Sequence, residues 1–204
     1  MPGRLFLTSS LARVAEAAGV EQTLDAEPPR RNIAPGQEVV TLGPEGLRRM
    51  RWGLIPQGRR NARGRPVMET IVNARSETLF EKSAFAGVSR CVVPADGWYE
   101  WTGAKGRKQP WAISDRDGGL LWFAAIFDIW VGPGGIAVPQ CATVTCDPSG
   151  DVAEIHDRMG VLLSQRDLAL WLRGDEAAVR PLMRPWPDGT LRVERAEGVD
   201  WAAS

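Results

Sequence analysis

Histidine, cysteine and lysine are all scarce in this chain, and each scarcity removes a class of function. There is one histidine and there are three cysteines in 204 residues. Cys91, Cys141 and Cys146 form an odd set without paired spacing, which argues against a disulfide framework. Cys141 and Cys146 fall in what reads as one strand at a separation that sends them to opposite faces. With a single histidine to add, no metal site is expected, and no cofactor is implied. The formal charge is zero, so no global field draws nucleic acid to the molecule. No apolar run approaches the length of a membrane span, and Met1-Pro2-Gly3-Arg4 lacks the apolar region of a secretory signal, so a cytoplasmic protein without membrane contact is expected.

What is present is an ordinary globular composition, 44% hydrophobic and 25% charged, with a length that suits one domain over residues 1–204. The positive charge is almost all arginine, since Lys82, Lys105 and Lys108 are the lysines. It is also uneven: between Glu45 and Glu69 there is no acid, but there are Arg48, Arg49, Arg51, Arg59, Arg60, Arg63 and Arg65, with Trp52 among them. Such a stripe suits phosphate contact with stacking, and it equally suits a solvated loop in an arginine-biased sequence.

The run from Arg90 to Trp101 is the feature around which the rest is organised. An apolar strand, the turn-forming Pro94-Ala95-Asp96-Gly97 and a second strand end in a carboxylate between aromatic rings. Alternation puts Trp98 and Glu100 on one face and Tyr99 and Trp101 on the other, so Glu100 lies beside a ring whichever face is inward. An apolar wall raises a carboxyl pKa, as a general acid or base near neutrality requires. A solvated strand-end glutamate is the plainer alternative.

Taken in order, Leu5 to Leu7 reads as a strand, followed by a helix with Ser9 or Ser10 as cap, apolar positions Leu11, Val14, Ala15 and Ala18, and Gly19 as stop. Residues 25–36, with Pro28-Pro29 and Pro35-Gly36, read as an extended surface loop. Val39–Leu42 and Leu47–Trp52 bracket a hairpin turn, and Gly53 to Pro66 reads as an irregular loop. Ile71 to Arg75 is a short strand, and Ser76 caps a helix to about Phe85. Pro110–Ser114, Leu120–Trp130 and Ile136–Cys146 are strands. Ser164-x-x-Asp167 opens a helix from Leu168 to Arg173, and a second short helix and a hairpin-like tail fill residues 175–204. The order predicts an α+β fold with a curled antiparallel or mixed, barrel-like sheet and flanking helices.

The ordered segments Asn32-Ile33-Ala34-Pro35-Gly36, Arg51-Trp52-Gly53-Leu54-Ile55-Pro56, Asn73-Ala74-Arg75-Ser76-Glu77-Thr78, Arg90 to Trp101, and Ile155-His156-Asp157-Arg158-Met159 together resemble the SRAP family, the SOS-response-associated peptidases, over residues 2 to about 172. That resemblance implies a protein of the DNA-damage response that senses and shields abasic sites in single-stranded DNA; a monomer is expected. Members expose a cysteine at position 2, whose amine and thiol capture the ring-opened sugar as a thiazolidine. By motif, Asn73 corresponds to the residue orienting the nucleophile, Glu100 to a proton-transfer carboxylate, and His156 to a residue that helps open the sugar. Arg4, Arg75 and Arg158 correspond to phosphate contacts, Trp52 and Trp101 to the DNA track, and Thr145 to a polar contact ahead of the histidine.

The departure falls at the nucleophile, where the sequence has Pro2. Without a thiol there, thiazolidine closure is expected to be absent. Gly160, where the family usually has proline, and Gln57-Gly58, where an aromatic often follows, are smaller departures. Proline is small enough for Met1 to be removed, and it would then expose a secondary amine, a nucleophile toward aldehydes. The reading is binding to abasic sites in single-stranded DNA, with Schiff-base capture or lyase chemistry by the Pro2 amine ranked second to it. The alternatives are a non-covalent single-strand binder and a self-processing peptidase that removes Met1.

Overall fold

The computed structural model describes residues 2–57, 62–63, 68–104 and 106–202. Arg59, Arg60 and Arg65 of the basic stripe and Lys105 lie outside the described residues, as does much of the Gly53 to Pro66 loop. In chain order the elements are β1 (Leu5–Leu7), α1 (Leu11–Ala18), β2 (Arg30–Ile33), β3 (Glu38–Gly43), β4 (Gly46–Trp52), β5 (Asn73–Arg75), β6 (Ser89–Ala95), β7 (Gly97–Thr102), β8 (Gln109–Asp115), β9 (Leu121–Val131), β10 (Ala137–Cys146), α2 (Gly150–Ala153), β11 (Met159–Gly160), β12 (Leu162–Leu163), α3 (Leu168–Arg173), α4 (Glu176–Val179) and β13 (Leu191–Arg195). The fold is α+β, as the order of strands and helices predicts.

Five strands close on themselves. Strand β4 pairs antiparallel with β3, β3 with β6, β6 with β9 and β9 with β10, and β10 returns to β4 in parallel register. Closure removes the open edges that a sheet of apolar strands would otherwise present. The same edge of β10 that pairs with Arg51 and Trp52 of β4 continues, after a gap, to pair with Asn73, Ala74 and Arg75 of β5. The chain leaves this ladder after Trp52 and rejoins it at Asn73, and the two points are tied by Gly53 N–H to Cys141 O and Thr143 N–H to Val72 O. This geometry fixes Asn73 opposite Thr143.

The second sheet has the order β13-β8-β7-β1-β2. Strands β6 and β7 are consecutive but do not form a hairpin: β6 belongs to the barrel and β7 to the second sheet. The corner is built by Asp96, whose carboxylate accepts from Thr8 N–H at 2.6 Å, Ser9 N–H at 2.7 Å and both hydroxyls. Those bonds hold its pKa below the usual carboxylate range despite its burial. Gly97 follows because a Cβ there would run into Phe6 and the Ile113 carbonyl. The corner thus joins the N-terminal segment to the strand that carries Glu100.

Helix α1 forms as expected, with Ser10 accepting from Arg13 N–H and Gly19 stopping it at φ 67°. Three expectations fail. The helix expected from Ser76 to about Phe85 is two separate 3-10 turns, Ser76–Thr78 and Ser83–Phe85, without a side-chain cap. The expected loop over residues 25–36 contains β2, which pairs with β1. The expected C-terminal hairpin is β13 laid antiparallel along β8 from Leu191 to Arg195.

Candidate active site

Residue 2 is buried at the junction of the two sheets, where Asn73 Nδ2 donates to the Pro2 carbonyl at 3.0 Å. The amide is set by Thr143, whose hydroxyl donates to Asn73 Oδ1 at 2.5 Å, so oxygen and nitrogen each have a defined role. On the far side lies Gly160 of β11. A Cβ on Gly160 would sit 3.4 Å from Pro2 Cγ and 2.5 Å from Phe123 Cε1, so the bare backbone there makes room for the Phe123 ring beside Pro2.

Glu100 is 3% exposed, two residues along β7 from the fully buried Trp98. Trp98 in turn packs edge-on against Phe123 with ring centroids 5.6 Å apart. Burial pushes the Glu100 carboxyl up to about 7, while the positive charge of the amino terminus and the Trp98 indole favour its ionised form. That is the apolar wall expected from alternation, and the solvated alternative is excluded by its burial. His156 follows α2, with its N–H bonded to Val152 O at 3.0 Å. Burial and the amino-terminal charge lower its pKa, and the neighbouring Asp157 carboxylate and the backbone contact with Arg158 oppose them. Asp157 also bears on Glu100, in the raising sense, so the acid and the imidazole share one electrostatic neighbourhood.

His156 Nδ1 accepts the Arg158 backbone N–H at 3.0 Å and lies 2.8 Å from Asp157 Oδ1. Both contacts are not attractive at once. In the neutral ring, which the lowered pKa favours, Nδ1 is an acceptor for Arg158 and the proton is on Nε2; protonation would turn Nδ1 toward Asp157 instead.

The structure thus brings together Pro2, Asn73, Glu100 and His156, and it corrects two of the expected DNA contacts, Trp52 and Thr145. Trp52 is 0% exposed and donates from Nε1 to Val72 O at 3.2 Å, so its ring is core and cannot stack on a strand at the surface. Thr145 is likewise 0% exposed, its hydroxyl turned to Ala74 O and to the Arg158 guanidinium. Arg158 is 12% exposed and held by Glu77, Asp147 and the Thr145 carbonyl. Arg4 donates to Asn32 Oδ1 at 2.6 Å, and Trp101 meets the Trp201 ring at 5.3 Å, so the segment near residue 201 covers both neighbourhoods. Arg75 is exposed.

A groove of about 570 Å³ beside Asn73 is lined by Arg75, Lys82, Ser83 and Phe85. Lys82 was not singled out by sequence, because its proximity to Arg75 depends on the tight turns that replace the expected helix. Glu77 and Thr143 were also missed; Glu77 lies inside the Asn73–Thr78 motif, while Thr143 shows only through the β5–β10 register.

The family model described as SOS response associated peptidase (SRAP) matches residues 1–198. The chain belongs to the SRAP family. Its SRAP relatives include "Abasic site processing protein YoqW" of Bacillus subtilis, 32% identical with 91% of this chain and 88% of the relative covered, and YobE of the same organism, 34% identical with 84% and 82% covered. The chicken protein HMCES is 35% identical over 66% of this chain, which spans about half of that longer relative. Among solved structures, a Bacteroides thetaiotaomicron protein superposes with TM-score 0.81 at 22% identity over 96% of this chain and 92% of its own, a likeness of fold. A phage-related Bordetella bronchiseptica protein reaches TM-score 0.72 at 26% identity, over 96% and 94%. Among the described residues no helix is long and apolar enough to cross a membrane.

Proposed function

We propose that this SRAP chain recognises abasic sites in single-stranded DNA and captures the sugar aldehyde with the amine of Pro2, once Met1 has been removed. The observation that carries the reading is the hold of Asn73 on the Pro2 carbonyl at 3.0 Å beside a carboxyl whose pKa stands at about 7. The relatives named abasic site processing proteins supply the substrate class.

The chemistry balances with these groups alone. The amine lone pair of Pro2 adds to the aldehyde carbon, the nitrogen gives up its N–H proton and the former carbonyl oxygen takes one, a transfer that a carboxyl titrating near neutrality can carry from one atom to the other. The resulting hydroxyl leaves as water after a second protonation, and the nitrogen becomes a positively charged iminium. Removal of a C2′ proton by a base, Glu100 carboxylate or His156, then drives electrons toward C3′ and expels the 3′ phosphate. Without that step, water returns the iminium to amine and aldehyde. A secondary amine lacks the thiol that would close a thiazolidine, so the adduct is reversible. Arg75, exposed at the groove beside Asn73, is the cation suited to the flanking phosphate.

The test is borohydride trapping with abasic single-stranded DNA on a preparation shown by intact mass to begin at Pro2. The expected product is one reduced protein–DNA adduct at Pro2, located by peptide mapping. No adduct overturns capture. If binding to abasic single strands persists and weakens with salt, the non-covalent reading replaces it.

A further inference from the structure

Arg158 has the sequence position of a phosphate contact, yet both of its terminal nitrogens are engaged within the protein. Nη1 meets Glu77 Oε1 and, at 3.2 Å, Asp147 Oδ1. Nη2 meets Glu77 Oε2 at 2.9 Å and the Thr145 carbonyl at 2.7 Å. Two carboxylates and a carbonyl more than neutralise one guanidinium, and a two-armed fork of this kind is directional as well as strong. The same residue donates its backbone N–H to His156 Nδ1 at 3.0 Å. Glu77 stands in the 3-10 turn directly after β5, the strand whose first residue, Asn73, holds Pro2. One carboxylate therefore ties the Asn73 strand to the His156–Arg158 segment.

We infer that Glu77 is a positioning residue: its fork on Arg158 keeps the Arg158 N–H on His156 Nδ1, so that the neutral imidazole carries its proton on Nε2. The charged groups that bear on His156 are Asp157, 2.8 Å from Nδ1, and the amino terminus. With the fork released, the N–H donation that fixes the tautomer is lost, and Asp157 is placed to accept from an Nδ1–H instead. The catalytic consequence rests on the proposed proton-transfer role of His156; the geometric claim does not.

The chain has one histidine, so 1H–15N NMR of the imidazole reads this residue without ambiguity. In the wild type the expected pattern is the Nε2-protonated neutral ring with a midpoint below the ordinary histidine value. In Glu77→Gln the expected result is averaged ring-nitrogen shifts and a displaced midpoint, because the Nδ1 acceptor role is no longer fixed; Glu77→Asp should recover part of the wild-type pattern. A wild-type ring protonated on Nδ1 overturns the inference, and so does a folded Glu77→Gln protein with an unchanged tautomer and midpoint. If Glu77→Gln does not fold, Arg158→Lys, which keeps the charge but loses the fork, is expected to average the ring-nitrogen shifts in the same way, and an unchanged tautomer there overturns it. If the wild type forms a borohydride-trapped adduct, Glu77→Gln should slow it about tenfold with a displaced pH profile. Absence of any wild-type adduct would count against capture by Pro2 and leave the imidazole titration to stand or fall separately.

Discussion

The surroundings of Glu100 and of Glu77 start from the same side chain and drive it in opposite directions. Glu100 is walled by Trp98 on β7, and desolvation carries its carboxyl up to about 7. Glu77 is half exposed, and the Arg158 fork carries its carboxyl down to about 2. At neutral pH the first can give or take a proton and the second is a fixed negative charge. The two carboxylates thus differ by environment alone, one kept near neutrality by burial and the other held as an ion by Arg158.

The largest effect expected from this contrast is kinetic. Glu100→Gln should slow formation of the trapped adduct by about 100-fold or more, the usual scale for losing a proton-transfer group, against about tenfold for Glu77→Gln. Single-turnover trapping across pH measures both, and equal losses would erase the distinction.

The second effect is on stability. Because the folded-state pKa of Glu100 lies above its unfolded value, folding favours the neutral carboxyl, and stability is lost as pH rises from the unfolded value through about 7. The wild type should lose about 2 to 3 kcal/mol between pH 5 and pH 8 from this residue, and Glu100→Gln should remove that loss. For Glu77 the sign is reversed: its contribution is present above the unfolded carboxylate pKa and disappears as pH falls toward 2. Urea melts of wild type and both glutamine variants across pH 3 to 8 separate the two slopes.

Glu100 was legible in the sequence because alternation along a strand reports its neighbours directly. The same holds for α1, with its cap and stop, and for the β3–β4 hairpin, where turn chemistry and pattern agree. What failed depended on contacts between distant segments. Trp52 reads as a surface aromatic among arginines, but the closed barrel turns its face inward. Ser76 reads as a helix cap, but Leu79 and Phe85 are drawn into the core, Glu77 is held by Arg158, and the segment tightens into two turns. Thr145 reads as a DNA contact, yet it is buried and its hydroxyl meets Ala74 O and the Arg158 guanidinium. Strands β6 and β7 read as a pair because they are adjacent in sequence, and only the bonds to Asp96 explain why the chain changes sheets there.

Gly160→Ala should act on the dry side of the contrast. The added methyl displaces Phe123, which buttresses Trp98, and overpacking of this kind costs about 1 to 3 kcal/mol. Thermal melts give the cost, and the Glu100 midpoint should fall as water reaches the wall. The smallest effect is expected from Thr143→Val, which removes one hydrogen bond to Asn73 Oδ1 and should cost about 1 kcal/mol. A larger penalty would mean that Thr143 does more than orient the amide.

The contrast is tested most directly by carboxyl 13C titration of selectively labelled glutamates, with Glu100→Gln and Glu77→Gln used to assign the two resonances. The account predicts a resonance that disappears in Glu100→Gln and titrates near pH 7, and one that disappears in Glu77→Gln and does not titrate above pH 4. A Glu100 midpoint near the ordinary carboxylate value would contradict it.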